Sequence, residues 1–297
     1  MSRFKTIFHF ALKVTGRLKW LFFGIFIVGT LAGFPNLGRF SLLFLFLSFI
    51  EPPTLQAIYQ LVGMAYVAVR NIGTGFPSTE NYTCKCTYIL PFKGKWTVVN
   101  GGFDKSLSHS WGVYSQRYAY DFLILDDKGR TFDGHGTVVK DYFCYGMDII
   151  APADGVVVKC QDSHTDSRVD GKNVYCDSFD LRGNHIVIWH AEGEYSCIAH
   201  IMPKSLTVKV GTVVKQGDLV AKCGNSGNSS QPHIHFQLQK SRSFFFTVGL
   251  PIAFGNISAE RKKSYPMFDE RPCVGNFMRG DSGRTYIARG LEVWNRE

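Results

Sequence analysis

Two histidines separated by one residue, His233 and His235, are the side chains of this sequence best suited to metal or proton-transfer chemistry. They follow residues 223–231, a run rich in glycine, asparagine and serine. A neutral imidazole can bind a metal ion, and near pH 7 it can also accept or donate a proton. The pair alone is a weak signal, because two half-buried polar residues of a strand can have the same spacing. Its meaning depends on the elements that surround it.

Short strands are predicted throughout the C-terminal half of the chain. Runs of β-branched and aromatic residues, punctuated by Gly, Asn, Asp or Pro, cover 155–159, 184–189, 195–199, 206–210, 219–221 and 233–238. Long helical periodicity is missing from about residue 85 onward. We therefore predict an all-β catalytic domain over residues 85–257, an antiparallel sandwich or open barrel with loops around a cleft.

Five sequence blocks in this half occur in the order typical of one enzyme family. They are 183–190 (GNHIVIWH), 195–200 (YSCIAH), 210–217 (VGTVVKQG), 223–228 (CGNSGN) and 232–236 (PHIHF), preceded by 151–157 (APADGVV). The order resembles the lysostaphin/LytM-type zinc metallopeptidases, the M23 peptidase family, over roughly residues 110–240. The resemblance implies a LytM-like β-domain that hydrolyses peptide bonds of bacterial peptidoglycan with one zinc ion, Zn2+, held by two histidines and an aspartate.

The resemblance also implies roles for three histidines. His235 corresponds to the third zinc ligand, while His200 and His233 flank the metal-bound water and the substrate carbonyl. A bound zinc ion lowers the pKa of its water from about 16 to about 7 and polarises the scissile carbonyl. A neutral imidazole beside it can take or return a proton, or hydrogen-bond to the developing oxyanion.

The first two zinc ligands depart from the common pattern, because the sequence has no compact His-x-Gly-x-Asp string. One alternative is Cys144 with Asp148, which has the right spacing and a thiolate that can bind zinc. The other is His109 with Asp121, a wider spacing that resembles the β-lytic branch of the family. We favour His109 and Asp121, and an incomplete site without zinc is the third possible outcome.

With the favoured pair, Arg117 occupies the position of the missing histidine and residues 123–145 form an insertion. Asp121 lies in an alternating aromatic segment, 116–122, which predicts a largely apolar strand. A carboxylate buried there needs a compensating partner, and a metal ion is one of the few that compensates fully.

The N-terminal quarter has a different composition. Residues 20–38 carry no charge, and 40–50 and 55–69 are further apolar runs. Each run falls short of, or only just reaches, the ~20 residues that span a hydrocarbon core. Because the apolar runs follow one another, we predict a membrane-anchoring region at 20–70 with one to three transmembrane helices. Basic residues within 1–19 predict a cytoplasmic N-terminus, so an odd number of crossings places the catalytic domain outside the cell membrane. Residues 71–84 are predicted to form a linker.

The two parts of the chain differ in net charge, and this charge limits the classes of molecule that the protein is expected to bind. Of the net charge of +9, residues 1–80 hold +5, from seven Lys/Arg and two Asp/Glu. The mildly basic remainder suits an anionic wall polymer or a membrane surface, and it excludes nucleic acid as an expected partner. All eight cysteines lie beyond residue 83, which permits disulfides without identifying any pair. Residues 258–297 are predicted to be a charged, loop-rich extension.

The sequence thus predicts a membrane-anchored zinc metalloendopeptidase that remodels the cell wall by hydrolysing peptidoglycan peptides. The alternative is a catalytically degenerate member of the family that binds wall peptide or regulates another hydrolase.

Overall fold

The computed structural model describes residues 21, 23–34, 36–37, 39, 52–169, 180–271, 273, 278–279 and 283–297. The chain divides into two compact units, Met1–Tyr59 and Gln60–Glu297. In the first unit, residues 23–31 are helical and expose most of their apolar side chains. The predicted basic N-terminus at 1–19 lies outside the described residues, as do residues 40–51 of the predicted membrane-anchoring region.

Helix α1 (Pro52–Arg70) leads into the second unit. It carries no charged residue before Arg70, and Pro52 and Pro53 stand at its start, where missing backbone N–H groups cost no helical hydrogen bond. Within the described part of the chain, no helix is long and apolar enough to cross a membrane. The prediction of transmembrane helices is therefore not supported by these residues.

The second unit consists mostly of strands. Their bounds, with the short helices between them, are β1 (Trp96–Asn100), β2 (Tyr120–Leu123), a 3-10 turn (Val139–Asp141), β3 (Asp148–Ile150), β4 (Gly155–Gln161), β5 (His185–Ala191), β6 (Glu194–Ala199), β7 (Val213–Val214), β8 (Leu219–Lys222), β9 (Ile234–Gln239), β10 (Gly249–Leu250), β11 (Ile257–Arg261), α2 (Tyr265–Phe268), β12 (Met278–Arg279), β13 (Thr285–Tyr286) and β14 (Leu291–Asn295).

Ten of the described strands form one sheet, in the order β11-β14-β1-β2-β9-β6-β5-β4-β7, with β10 paired to β9. Neighbouring strands are antiparallel throughout this sheet. The prediction of a mostly antiparallel β-domain is confirmed. Residues 258–297, predicted to be loop-rich, contribute β14 and most of β11 to the sheet because alternating apolar side chains such as Leu291 and Val293 are buried in its core.

The centre of the sheet, β2-β9-β6, determines where the site residues lie. All six residues of β9 are buried, and an aromatic core that includes Phe92, Phe122 and Phe236 covers one face of these strands. The register pairs Asp121 of β2 with His235 of β9. Because side chains alternate between faces, a slip by one residue would move either group into the core.

The segment before β1 is attached to the sheet through Glu194 of β6. This fully buried carboxylate accepts hydrogen bonds from the hydroxyls of Tyr82 (2.5 Å) and Tyr88 (2.7 Å) and from the backbone N–H groups of Lys85 and Cys86. A buried charge is tolerated when it is hydrogen-bonded in this way. The contacts fix residues 82–88 against the sheet.

Candidate active site

Asp121 and His235 form a buried pair on adjacent strands. Nδ1 of His235 lies 2.9 Å from Oδ1 of Asp121, and less than a tenth of either residue is exposed. Burial alone would raise the pKa of Asp121, but the hydrogen bond and positive charge of His235 hold that pKa well below its usual range. Burial opposes charge on His235 as well, yet contact with Asp121 raises the pKa of the imidazole. The two groups stabilise each other as an ion pair.

Gln237 holds the other side of the His235 ring. Nε2 of His235 lies 3.0 Å from Oε1 of Gln237, and the Gln237 amide donates to the carbonyl of Ser115 at 3.1 Å and to Oε1 of Gln239 at 2.6 Å. In the ion pair, Nδ1–H donates to Asp121 and Nε2–H donates to Gln237, and loss of the Nδ1 proton would leave Nδ1 as the metal-binding nitrogen. A hydrogen bond that fixes the tautomer and orientation of a histidine is typical support for a metal-ligating imidazole.

Asn100 connects Asp121 to the loop that carries His109. Its amide Nδ2 donates to Oδ2 of Asp121 at 3.0 Å, and its Oδ1 accepts from the backbone N–H of His109 at 2.9 Å. Asn100 is buried at the end of β1, directly opposite Asp121 in the β1–β2 register. Sequence reasoning missed it, because an asparagine followed by two glycines is also an ordinary turn signal.

His109 is exposed, and its side chain lines the same cavity as Asp121 and His235.

Arg117, predicted to occupy the place of a missing histidine ligand, does not line this cavity. Its guanidinium carbon lies 5.0–5.3 Å from the ring centroids of Phe76, Trp111 and Tyr114, and Nε donates to the Trp111 carbonyl at 3.1 Å. An arginine packed against aromatic faces is a cation–π arrangement. Arg117 therefore stabilises the loop that carries His109 and does not contact the cavity.

His200 and His233 lie beside the pair. Their ring centroids are 4.6 Å apart, and Nε2 of His233 is 3.7 Å from Oδ1 of Asp121. In each ring Nδ1 is 2.7–2.8 Å from a backbone carbonyl, that of Ser226 for His200 and that of Gln231 for His233. An Nδ1 proton donated to those carbonyls leaves Nε2 as the basic nitrogen. Burial lowers the pKa of both imidazoles, which keeps them neutral near pH 7.

These side chains surround a cavity of about 280 Å³. Its lining residues are His109, Gln116, Asp121, Leu181, Arg182, Ala199, His200, Asn228, Ser229, Ser230, His233, His235 and Phe244. The predicted residues His109, Asp121, His200, His233 and His235 are thus brought to one place, although His109 and His235 are far apart in sequence.

The alternative ligands Cys144 and Asp148 do not line the cavity. The Cys144 thiol is buried and donates to the carbonyl of Pro232 at 3.1 Å, and Asp148 is paired with Lys222 at 2.8 Å. The structure therefore does not bring this pair to His235, because Asp148 starts β3 and faces its partner on β8.

Two of the three predicted zinc ligands, Asp121 and His235, are placed to bind one zinc ion. Oδ1 of Asp121 and Nδ1 of His235 converge, and carboxylate oxygen with imidazole nitrogen is a common zinc pair. Among the described residues, no group of three or more His, Cys, Asp or Glu side chains is arranged to hold a metal ion. His109, the predicted third ligand, lines the same cavity, and its backbone N–H donates to Asn100.

Comparison with known proteins identifies the class. Residues 139–245 match peptidase family M23, so the chain contains an M23 peptidase domain there. This segment includes His200, His233 and His235 and begins after His109 and Asp121. A protein described as an uncharacterized metalloprotease of Haemophilus influenzae is 34% identical over 121 residues, which are 40% of this chain and 22% of that relative.

Two solved structures are similar to part of this chain. The catalytic domain of lysostaphin from Staphylococcus simulans is 22% identical, with 58% of this chain and 90% of that chain covered and a TM-score of 0.29. A zinc-containing peptidase from Vibrio cholerae is 18% identical, with 55% and 39% covered and a TM-score of 0.32.

Proposed function

We propose that this protein is a zinc metalloendopeptidase that hydrolyses peptide bonds of peptidoglycan. The observation that carries the proposal is the Asp121–His235 pair, which lies in a cavity beside two neutral histidines and has its imidazole held by Gln237. The M23 domain at 139–245 supports a peptidase activity. The apolar N-terminal segments support association with the cell membrane, and a cell-wall substrate requires the catalytic domain on the outer side.

In this mechanism His109, Asp121 and His235 would hold the metal ion. When bound, zinc would polarise the scissile carbonyl and acidify a water molecule. His233 and His200 each present a basic Nε2, so one can take the proton of the attacking water while the other accepts a hydrogen bond from the water or from a substrate N–H. The proton then returns to the leaving amine.

The cavity wall suits a peptide more than a charged small molecule. Gln116, Asn228, Ser229 and Ser230 supply amide and hydroxyl groups that can pair with a peptide backbone. The mildly basic catalytic part of the chain favours association with an anionic wall polymer. Both features support peptidoglycan peptide as the substrate.

The test measures zinc content and wall hydrolysis with the full chain. We expect one zinc per protein, lost in His235→Ala and in His109→Ala, and no hydrolysis in either variant. His200→Ala and His233→Ala should keep zinc and lose hydrolysis, because they move protons and do not bind the metal. His135→Ala is the matched control, since His135 is exposed and outside the cavity.

Two results would contradict these roles. Hydrolysis retained in both His200→Ala and His233→Ala would exclude them as the proton-transfer groups. Zinc lost in Cys144→Ser, with zinc retained in His109→Ala, would assign the metal to the alternative ligands.

A second candidate is a degenerate domain that binds wall peptide or regulates another hydrolase without cutting. It is favoured by Arg117, which is turned into an aromatic cluster at the position of the missing ligand, and by the two converging donors where a zinc ion needs three. A fully folded, metal-free protein that binds wall peptides without hydrolysing them would establish this candidate.

A further inference from the structure

The second half of helix α1 is attached to the catalytic domain along one side. Gly63 lies directly against the backbone carbonyl of Phe245, where an added Cβ would collide with the carbonyl oxygen. Val67, one turn further along this side, is buried, and the Tyr66 ring contacts Phe246 edge to face at 5.7 Å between centroids. The glycine lets the helix approach the 244–246 segment closely, so this half of α1 is part of the domain surface.

The opposite side of the same helix is apolar and exposed. Leu61, Val62 and Val69 are 64%, 52% and 66% exposed, and we call these three residues the outer face. Their spacing of seven to eight residues, from Leu61 and Val62 to Val69, places them on one side of the helix. A surface helix normally places charged or polar residues there, so an apolar outer face indicates a partner that covers it.

The sequence around the helix indicates a lipid partner. No charged residue occurs between Pro52 and Val69, and residues 40–50, which precede Glu51 in the sequence, are apolar as well. The uncharged stretch begins after Glu51 and ends at the basic residue Arg70. An apolar helix face that ends at a basic residue suits a segment that lies in the headgroup region of an anionic bilayer.

We propose that the outer face of α1 lies in the surface of a lipid bilayer and that the catalytic domain is held against the membrane through this helix. Phe244 lines the cavity, and the next two residues contact α1, so one short segment connects the cavity wall to the membrane-facing helix. Peptides attached close to the membrane surface are then the substrates nearest to the cavity. Only this last consequence depends on the proposed peptidase function.

The experiment uses the photo-reactive residue p-benzoylphenylalanine in the full chain, at Val62 in one variant and at Val69 in another. Each variant is reconstituted into vesicles of phosphatidylglycerol and phosphatidylethanolamine, and adducts are identified by mass. The matched control carries the same residue at Val213, which is 69% exposed on strand β7. We expect lipid adducts at positions 62 and 69, several-fold above the control.

Adducts to a second copy of the chain would overturn the proposal in favour of a dimer interface. Lipid adducts no more abundant than at Val213 would overturn it as well. Two probe positions are used in case the photo-reactive residue disturbs the packing at one of them. Circular dichroism checks that each variant is folded. Because crosslinking requires neither zinc nor hydrolysis, its outcome is independent of the peptidase assay.

Discussion

Asn100→Ala tests whether the two parts of the candidate metal site depend on one buried amide. The substitution removes the hydrogen bond to Oδ2 of Asp121 and leaves the backbone N–H of His109 without its acceptor. It leaves the other partner of Asp121, the imidazole of His235, in place. We therefore expect the Asn100→Ala variant to fold, with the Asp121 carboxylate and the loop that carries His109 held less rigidly.

The magnitude follows from the two contacts. A hydrogen bond to a charged group contributes about 1.5–3 kcal/mol and a neutral one about 0.5–1.5 kcal/mol, so we expect Asn100→Ala to lower the free energy of unfolding by about 2–4 kcal/mol. Groups that orient metal ligands without touching the metal change its affinity about 10–100-fold. We expect zinc affinity to fall by that factor, because both Asp121 and His109 lose orientation.

Asn295→Ala is the matched control for this substitution. Asn295 also bridges two segments through its side chain, accepting from the N–H of Leu90 and donating to the carbonyls of Leu90 and Phe92, but it lies outside the cavity. Urea unfolding of the metal-free proteins should show a loss of stability in both variants. Competition with a chelator should show weaker zinc binding in Asn100→Ala alone. Equal zinc affinity in the two variants would refute the role of Asn100.

Three further predictions concern residues outside the ligand set. Arg117→Ala should weaken zinc binding and raise proteolysis of the 109–116 loop, whereas Arg117→Lys should restore part of both because a cation remains among the rings; equal behaviour of the two variants would exclude the cation–π contact as the cause. Gly63→Ala should destabilise the protein by about 1–3 kcal/mol through overpacking against Phe245, and Gly112→Ala, with open space around it, should not, as measured by urea unfolding. Burial lowers the pKa of His185 to about 3, so the unfolded chain binds a proton below pH 6.5 that the folded protein does not. His185 should then contribute about 1.4 kcal/mol per pH unit to the loss of stability between pH 6.5 and 3, and a His185→Gln variant whose slope equals that of the parent protein between pH 6.5 and 5 would refute this origin.

The strands around the site could be predicted from the sequence because each is a run of hydrophobic residues close together in the chain. The predicted segments 184–189, 195–199 and 233–238 correspond closely to β5, β6 and β9. The predicted strand at 206–210 does not form. The carbonyl of Val220 accepts from the N–H of Thr207, but the N–H of Leu206 faces the carboxylate of Asp162, so no regular ladder develops there.

The site was only partly predictable, because its geometry depends on register. The order of the sequence blocks indicated His200, His233 and His235, and the apolar setting of Asp121 indicated a carboxylate that needs a partner. Gln237 could have been found, since it lies two residues after His235 and therefore on the same face of the strand. Asn100 could not, because its approach to Asp121 is set by the β1–β2 register and by an irregularity in that pairing between Val98 and Asn100.

Three of the contacts that hold the loop from His109 to Arg117 bear on the candidate metal site. Asn100 binds its first residue, Gln237 binds the carbonyl of Ser115, and the Arg117 side chain closes the loop on Trp111. Two of these ties come from residues that also hold Asp121 and His235. Ordering a loop costs about 1–2 kcal/mol per residue in backbone entropy, so a loop fixed this firmly is maintained by specific contacts. Arg117, predicted to stand in place of a histidine ligand, therefore does not by itself indicate a lost function: it helps to fix the loop whose first residue, His109, lines the cavity.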